Sequence, residues 1–470
     1  MTPPPTVASN NTDCLFTRQI RAGQRLRGHG RERARDGDVQ FEREEQKDDP
    51  FGLEQMLEAA KKGGSSGARK RTHTKDTDES AAKHDGQALL PPMGWMSWAA
   101  FYCTVDCHKY PRRCINEQLY VEQAEQLVSD GYASVGYNTV HVDDCWMESQ
   151  RNRITGQLAA NQTRFPSGIA RLAHYMHSRG LRFGIYADLG QTTCAGYPGS
   201  AGHLRQDADQ FAHWGVDYLK LDGCNIGLHQ LDNATSVFVQ ADYKTAGEHC
   251  HQWRVFTDVA PSWQSIQSIV DFVDHNQMQL SAAVHPGSWM DPDMLVIGQP
   301  HMLSVQQAKT QISLWSIWSA PLIMSNDLRL VTEEFRRVLQ NRDIIEIDQD
   351  PLGVMGLMIR NVQHTSGISV YRKPIMPVCT NRTSFALLAF NRNTTTARNV
   401  SIQLSEVGLI DSGGYKVTQL WAESASGDGT SQWHDDILLP EHSLHGVVPA
   451  MGVLVWRAHL LSALPWLIAM

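Results

Sequence analysis

Short apolar segments alternate with helical patterns between residues 92 and 327, and this alternation constrains the fold more than any other feature of the sequence. The helical segments 117–129 and 168–178 each carry apolar residues at helical spacing, and Gly180 follows the second as a stop signal. Repetition of strand and helix over about 240 residues predicts a parallel sheet, and at that length a (β/α)8 barrel. Seven strand candidates are found rather than eight, at 92–98, 139–144, 181–188, 217–223, 253–258, 290–296 and 321–327.

The two ends of the chain have different patterns. Beyond about residue 358, short alternating segments are separated by glycine, asparagine and serine, which is typical of an antiparallel β-sandwich. These segments are 368–371, 384–390, 400–404 and 415–421. Residues 1–86 are dense in charged residues and poor in large apolar ones, which predicts disorder. We therefore expect a disordered charged extension over 1–86, a barrel over 87–358 and a C-terminal β-sandwich over 359–470.

Charge and hydrophobicity exclude some classes of protein. The formal net charge of -8 gives no basic field, which argues against nucleic acid as a partner. No apolar run reaches the roughly 18 residues needed to cross a bilayer, so we expect no membrane span.

Nine cysteines are present, and most of them lie near predicted strand ends. No Cys-x-x-Cys pair occurs, so disulfides in an oxidising compartment are a better interpretation than zinc. Glycosylation sequons such as the one at Asn161 are compatible with that compartment. The first eleven residues carry no apolar signal segment, so the N-terminus and the cysteines point to different compartments. We give the cysteines more weight, because an alternative start would leave the body of the protein unchanged.

The segment 214–224 predicts a short buried strand that ends abruptly in an acid. The apolar residues from 216 to 221 favour a buried strand, and Gly223 interrupts it. Asp222 then stands at the carboxyl end of that strand, which is where barrel enzymes place catalytic groups. A cap for the following loop is the alternative role for an acid in this position.

Polar and aromatic residues, most of them acids, stand near the ends of the predicted strands, where a barrel would bring them to one face. Buried acids need basic, hydroxyl or ligand partners, and carboxylates beside an aromatic ring suit a sugar. Two carboxylates on nearby strands also suit glycosidic hydrolysis, which retains configuration when they are about 5 Å apart. Loop capping or a divalent metal ion are the alternatives. The residues are Trp98, Asp143, Asp144, Tyr186, Asp188, Lys220, Asp222, Arg254, Asp258, Asp291, Asp293 and Asp327.

Eight motifs follow one another in a fixed order between residues 93 and 353. They are MGW at 93–95, DDCW at 143–146, GIYAD at 184–188, TCAG at 193–196, LKLDGC at 219–224, DPDMLVIG at 291–298, APLIMSNDLR at 320–329 and QDPLG at 349–353. With these motifs the chain resembles glycoside hydrolase family 27, the animal lysosomal α-galactosidases and α-N-acetylgalactosaminidases. The resemblance does not extend to residues 1–86 and is weak beyond about residue 360.

The resemblance implies a retaining exo-glycosidase in which Asp222 is the nucleophile and Asp258 the acid/base. Lys220 lies two residues before Asp222, on the same side of the strand, and its charge would favour the ionised nucleophile. The substrate-binding residues implied by the resemblance are Trp98, Asp143, Asp144, Tyr186, Lys220, Arg254 and Asp293.

The resemblance also implies disulfides, a substrate and a location. The disulfide pairs are Cys103–Cys145, Cys107–Cys114 and Cys194–Cys224. The substrate is a terminal α-galactosyl or α-N-acetylgalactosaminyl glycoconjugate. No metal or other cofactor is implied, and the expected state is a homodimer in the lysosome or outside the cell.

The interval between Cys224 and Trp253 departs from the family. It holds only 28 residues, so the fifth strand of the barrel is expected to be missing or compressed, with 236–240 as a remnant. A Cys-x-Trp-Pro segment that selects the sugar in the family is absent here. The alternative function is therefore a catalytically impaired relative or a glycan-binding protein, and the preference for galactose or N-acetylgalactosamine stays open.

Overall fold

The structure is a computed structural model that describes residues 14–15, 86–225, 243–300, 302–359, 367–421 and 432–461. Seven parallel strands lie in the first large unit, and each overlaps one of the seven predicted strands. They are β1 Met93–Met96, β2 Thr139–Val142, β3 Arg182–Asp188, β4 Tyr218–Asp222, β5 Gln252–Arg254, β6 Trp289–Asp291 and β7 Leu322–Met324.

The strand order is that of a TIM-type barrel. One parallel sheet has the order β4-β3-β2-β1-β7, while β5 pairs in parallel with β6. A parallel bridge between Leu295 and Met324 joins the segment after β6 to β7. Strands β1 and β2 are buried along their whole length, because the barrel interior covers one face and helices cover the other. The predicted fold class is therefore confirmed.

The observed strands are shorter than the predicted ones. Only Trp253 and Arg254 of the predicted strand 253–258 lie in the observed strand Gln252–Arg254, so Asp258 lies in the following loop. The predicted strand 290–296 stops at Asp291, and Pro292 follows it. Proline has no N–H to donate to a ladder, which is why the chain leaves the sheet there.

Helices follow most of the strands and pack on the barrel. The helix Glu117–Ser129 begins where the Asn116 side chain accepts a hydrogen bond from the Leu119 N–H, and a reciprocal capping box of Ser304 and Gln307 starts the helix Val305–Ile317. The helices in the described ranges are α1 Trp98–Phe101, α2 Glu117–Ser129, α3 Ile169–Ser178, α4 Leu204–Trp214, α5 Tyr243–His249, α6 Trp263–Ala283, α7 Val305–Ile317, α8 Glu333–Leu339 and α9 Arg342–Asp348.

The barrel departs from eight strands at the β4–β5 junction. In the described ranges no strand lies between β4 and β5, and no backbone ladder pairs these two strands. Leu219, the second residue of β4, is 42% exposed, which is unusual for a parallel barrel strand. Residues 226–242, including the predicted remnant 236–240, lie outside the described residues.

A second unit of antiparallel strands follows, as predicted. The strands are β8 Leu357–Ile359, β9 Ile368–Cys379, β10 Arg382–Asn391, β11 Arg398–Gln403, β12 Tyr415–Gln419, β13 Gln432–Leu438, β14 Ser443–Val448 and β15 Val453–Leu460. Strands β9, β10, β15, β12 and β13 form one sheet in that order, with β8 and the two-residue strand Cys14–Leu15 both pairing with β9. Strands β11 and β14 form a second sheet.

The sandwich is bonded to the barrel through helix α6. Arg392 forms ion pairs with Asp271 and Asp274, and the Tyr371 hydroxyl donates to Asp274 at 2.7 Å. Apolar residues of the sandwich such as Phe390 also belong to the core of the barrel. The sandwich therefore supports the barrel from one side.

Two further expectations concern the N-terminus and membranes. Apart from Cys14–Leu15 and residue 86, the extension predicted over 1–86 lies outside the described residues. Within the ranges that the structure describes, no helix combines the length and the apolar character that a bilayer crossing requires.

Candidate active site

Asp222 ends strand β4 beside the end of strand β3. Its Cα pairs in register with that of Asp188, and its Oδ1 accepts a hydrogen bond from the Gly223 N–H at 2.9 Å. Its backbone carbonyl accepts from the Leu189 N–H at 2.8 Å. The Asp222 carboxyl is half-buried at the rim, so the backbone is fixed on both sides while one face of the carboxylate can meet a ligand.

Asp188 anchors the loop that follows Asp222. One of its oxygens accepts from the Gly190 N–H at 2.7 Å, and the other accepts from the Cys224 N–H at 3.0 Å. Burial raises the pKa of Asp188, and the charge of Asp222 adds to that rise. The sequence pattern places Asp188 at a strand end without indicating a role. Its contacts assign it the role of holding the backbone around Asp222.

Lys220 and Asp143 form an ion pair inside the rim. The Lys220 Nζ lies 2.7 Å from Asp143 Oδ2, and the Asp143 side chain is only 2% exposed. Burial acts to lower the pKa of Lys220, but the charges of Asp143 and Asp222 outweigh it, and the pKa is raised. The ammonium group also lies 5.4 Å from the centroid of the Tyr186 ring. Lys220 therefore stays charged beside the predicted nucleophile.

Asp143 and Asp144 lie side by side after strand β2, and both are buried. Asp143 accepts from the Asp144 N–H at 2.7 Å, and Asp144 accepts from the N–H groups of Cys145 and Ala195 at 2.6 and 3.0 Å. Burial raises the pKa of Asp144. Cys145 has a φ of 73°, a left-handed conformation that a non-glycine residue rarely adopts, and such strain is common at functional sites.

A second group of charges surrounds Asp258. Arg254, at the end of β5, lies 3.1 Å from Asp258 and 2.9 Å from Asp293. Asp293 also accepts from the Val259 N–H at 2.7 Å, which fixes the residue next to Asp258. Burial raises the pKa of Asp293 to about 6, although the Arg254 charge opposes that rise. The Asp258 side chain itself is 70% exposed, so it can reach the solvent side of a ligand.

The two groups interact with each other. The charge of Asp293 contributes to the raised pKa of Lys220, and Lys220 in turn lowers that of Asp293. Tyr186 is buried in the first group, with its hydroxyl 3.3 Å from Asp188, and burial raises its pKa. Trp98 begins helix α1 directly after strand β1 and is half-buried at the same edge of the sheet.

Asp327 does not join either group. It accepts hydrogen bonds from Arg329 and from Gln123, and these bonds outweigh burial and lower the pKa of Asp327. Its side chain therefore has a structural role in the barrel wall. Its position at a strand end could not distinguish it from the acids of the site.

Three disulfides stabilise the loops around the site. They are Cys103–Cys145, Cys107–Cys114 and Cys194–Cys224, the pairings that the resemblance implied. Two of these disulfides begin next to site residues in the sequence, since Cys145 directly follows Asp144 and Cys224 is two residues after Asp222.

One cluster has the spacing of a metal site. Asp188, Asp222, Cys194 and Cys224 place possible ligand atoms within 4.8 Å of one another. However, the two cysteines are bonded to each other, and a disulfide sulfur is not the thiolate that binds metals. Only two carboxylates remain, and this donor set does not fit a metal.

Sequence comparisons find a family and close relatives. The family model described as "Alpha galactosidase A" matches residues 90–236 and 230–350. The chain is 39% identical to chicken (Gallus gallus) alpha-N-acetylgalactosaminidase, over 72% of this chain and 88% of that protein. It is 41% identical to human (Homo sapiens) alpha-galactosidase A, over 64% of this chain and 75% of that protein.

Solved structures agree on the fold. A putative alpha-galactosidase from Bacteroides fragilis superposes with a TM-score of 0.65 at 26% identity, covering 79% of each chain. Alpha-galactosidase I from Mortierella vinacea gives the same TM-score at 23% identity, covering 80% of this chain and 98% of its own.

The barrel with its carboxylate rim and these relatives define the class of the protein, which is a glycoside hydrolase. The chain belongs to the alpha-galactosidase A family, glycoside hydrolase family 27. Its activity is of the alpha-galactosidase or alpha-N-acetylgalactosaminidase type.

Proposed function

We propose that the chain removes terminal α-linked galactose or N-acetylgalactosamine from glycolipids, glycoproteins or oligosaccharides, with retention of configuration. The observation that carries the proposal is the placement of Asp222. Its half-buried carboxylate ends strand β4, two residues from a lysine that is charged and paired with buried Asp143. A fixed carboxylate beside a cation is suited to attack on an anomeric carbon.

The reaction has two steps. In the first, a carboxylate oxygen of Asp222 attacks the anomeric carbon while Asp258 gives a proton to the leaving oxygen, forming a glycosyl-enzyme. In the second, Asp258 takes a proton from water, which attacks the same carbon and releases Asp222. Arg254, 3.1 Å from Asp258, stabilises the negative charge that appears when Asp258 has given up its proton.

The remaining residues bind the sugar. Asp143 and Asp144 offer carboxylate oxygens to its hydroxyl groups, and both are held in place by backbone N–H donors. Trp98 offers an aromatic face for the C–H side of the ring, and Tyr186 and Asp293 complete the polar wall. Each of these roles suits a ligand with several adjacent hydroxyls.

The alternative, an impaired relative or a glycan-binding protein, is not favoured. It depends on the short Cys224–Trp253 interval, yet the residues on both sides of that interval keep their partners. Lys220 bonds Asp143 before it, and Arg254 pairs with both Asp258 and Asp293 after it.

The test is labelling by a mechanism-based fluorinated galactosyl inactivator, followed by peptide mass spectrometry. We expect a covalent adduct on Asp222 and none in an Asp222→Asn variant. An Asp258→Ala variant that reacts with an aryl α-galactoside in the presence of azide should release the α-galactosyl azide, since attack on the glycosyl-enzyme then needs no base. Glycan binding without an adduct would contradict the proposal.

We also propose that the protein acts in the lysosome or outside the cell, as a homodimer. The disulfides around the site support an oxidising compartment. A glycan on Asn161 in protein made by animal cells would support the secretory route, whereas an unglycosylated and reduced cytosolic form would contradict it. Light scattering of the purified protein tests the dimer.

A further inference from the structure

A chain of side-chain hydrogen bonds crosses the β4–β5 junction. The Tyr218 hydroxyl, on β4, donates to Gln252 Oε1, on β5, at 2.8 Å. The Gln252 Nε2 then donates to Asp291 Oδ2, on β6, at 2.8 Å. Three consecutive strands of the described barrel are therefore connected by side chains at the place where no described backbone ladder joins β4 to β5.

The hydrogen-bonded residues on β4 and β5 lie on the strands that lead to the two predicted catalytic acids. Tyr218, Lys220 and Asp222 alternate along β4 and point to the same side of the strand. Gln252 and Arg254 do the same on β5, and Arg254 pairs with Asp258. The Tyr218–Gln252 bond therefore joins the strand of the nucleophile to the strand that leads to the acid/base.

The series of hydrogen bonds continues beyond Asp291 to the loop that carries the predicted acid/base, Asp258. The other oxygen of Asp291, Oδ1, accepts from the Asp293 N–H at 2.7 Å. Asp293 in turn accepts from the Val259 N–H at 2.7 Å and pairs with Arg254 at 2.9 Å. A shift of Gln252 would therefore be passed to Val259 and Arg254, the two residues that hold Asp258.

The chemistry of the groups fixes the direction of each bond. Burial raises the pKa of Tyr218, and the charge of Asp291 adds to it, so the phenol keeps its proton and donates. A glutamine amide can accept with its oxygen and donate with its nitrogen at the same time, which few other side chains can do. The Tyr218 ring is held edge-on by buried His141, with ring centroids 4.6 Å apart.

We propose that Tyr218 and Gln252 are positioning residues whose hydrogen bond joins β4 to β5, where the described residues form no backbone ladder, and sets the distance between Asp222 and Asp258. This inference rests on the proposed glycosidase function. Neither residue touches the reacting atoms; they act through Lys220 and Asp222 on one strand and through Arg254 on the other.

The test compares two substrates that differ in their need for acid catalysis. An aryl α-galactoside with a poor leaving group, such as phenol, needs the proton of Asp258, whereas a 2,4-dinitrophenyl group leaves without it. In Tyr218→Phe the acid is displaced, and a misplacement of about 1 Å can cost about 100-fold in rate. We expect kcat/KM for the phenyl substrate to fall roughly 10- to 100-fold and that for the dinitrophenyl substrate by less than about 3-fold.

Two further variants separate positioning from stability. Tyr175→Phe also removes one partly buried hydrogen bond of a tyrosine hydroxyl, to Glu125 on the outer helices, and should leave kcat/KM unchanged for both substrates. Gln252→Leu combined with Tyr218→Phe removes both polar partners of the bond. That double variant should keep the selective loss on the phenyl substrate, since apolar contact does not restore the distance between the strands.

The outcomes distinguish this inference from the proposed function. A wild-type protein that hydrolyses neither substrate overturns the proposed function. If wild type is active and Tyr218→Phe lowers kcat/KM equally for both substrates, or for neither, the positioning role is overturned while the glycosidase function stands. A selective loss on the phenyl substrate with an unchanged melting temperature supports the inference.

Discussion

The ion pair between Lys220 and Asp143 gives a prediction that can be worked out from the structure. The Asp143 side chain is 2% exposed and that of Lys220 is 24% exposed, with 2.7 Å between the charged atoms. Replacing Lys220 by methionine keeps most of the side-chain volume and removes the charge. Asp143 is then buried without a cation, although it keeps the bond from the Asp144 N–H.

Removing one partner of a buried ion pair typically costs about 3–5 kcal/mol, because the other charge is left without compensation. We expect the low end, about 3 kcal/mol, since water still reaches part of Lys220. For a domain of this size each 1 kcal/mol lowers the melting temperature by roughly 2–4 °C. Lys220→Met should therefore lower the melting temperature of the barrel by roughly 6–12 °C.

Differential scanning calorimetry at neutral pH measures this effect. The double variant Lys220→Met with Asp143→Asn should recover most of the loss, because a neutral amide needs no cation. Arg205→Gln is the matched control, since it breaks an ion pair with Asp209 that is exposed on both sides and should change melting little. The reasoning is refuted if Lys220→Met melts within about 1 °C of wild type or if the double variant melts no higher than the single one.

Asp293, the Cys194–Cys224 disulfide and Arg392 should each affect stability or proteolysis in a measurable way. Burial raises the pKa of Asp293 to about 6, from about 3.9 in the unfolded chain, so the folded state binds more protons than the unfolded one between these values. Stability should therefore fall by about 2 kcal/mol as the pH rises from 4 to 6. Asp293→Asn should flatten the dependence of the melting temperature on pH in this range, and an unchanged slope would contradict this. Replacing Cys194 and Cys224 by serine should lower the free energy of unfolding by about 3–4 kcal/mol, because the unfolded chain gains the entropy that the disulfide removes. A melting temperature equal to that of wild type would contradict this. Arg392→Met removes the guanidinium that pairs with buried Asp274 and should make the barrel–sandwich boundary more sensitive to limited proteolysis, whereas an unchanged cleavage pattern would contradict this.

The positions of the barrel strands and the acids at their ends could be predicted from the sequence. Most of the strands are rich in apolar residues and several end in or beside an acid, and these are local patterns. Asp222 at the end of β4 and Asp188 at the end of β3 therefore appear in the sequence as they do in the fold. The resemblance added the disulfide pairs, which composition alone does not determine.

The structure differs from the sequence-based expectations in the length of one strand and in the role of one acid. The strand expected at 253–258 ends at Arg254, because the ladder with β6 stops there and the loop is held by Asp293 instead. Asp327 lies near a strand end as the rim acids do, yet it accepts a hydrogen bond from Gln123 and pairs with Arg329. An acid at a strand end has the same local sequence pattern in both roles, and only its neighbours distinguish them.

The sequence by itself thus determined the order of strands and helices, the location of the acids and the short interval after Cys224. Only the tertiary structure decided how β4 and β5 face each other, with Tyr218 bonded to Gln252 across the junction. These two residues are 34 positions apart, and neither carries a local signal of its partner. A hydrogen bond of this kind exists only when the folded barrel has brought the two strands to one another, so its geometry cannot be predicted from patterns within each strand.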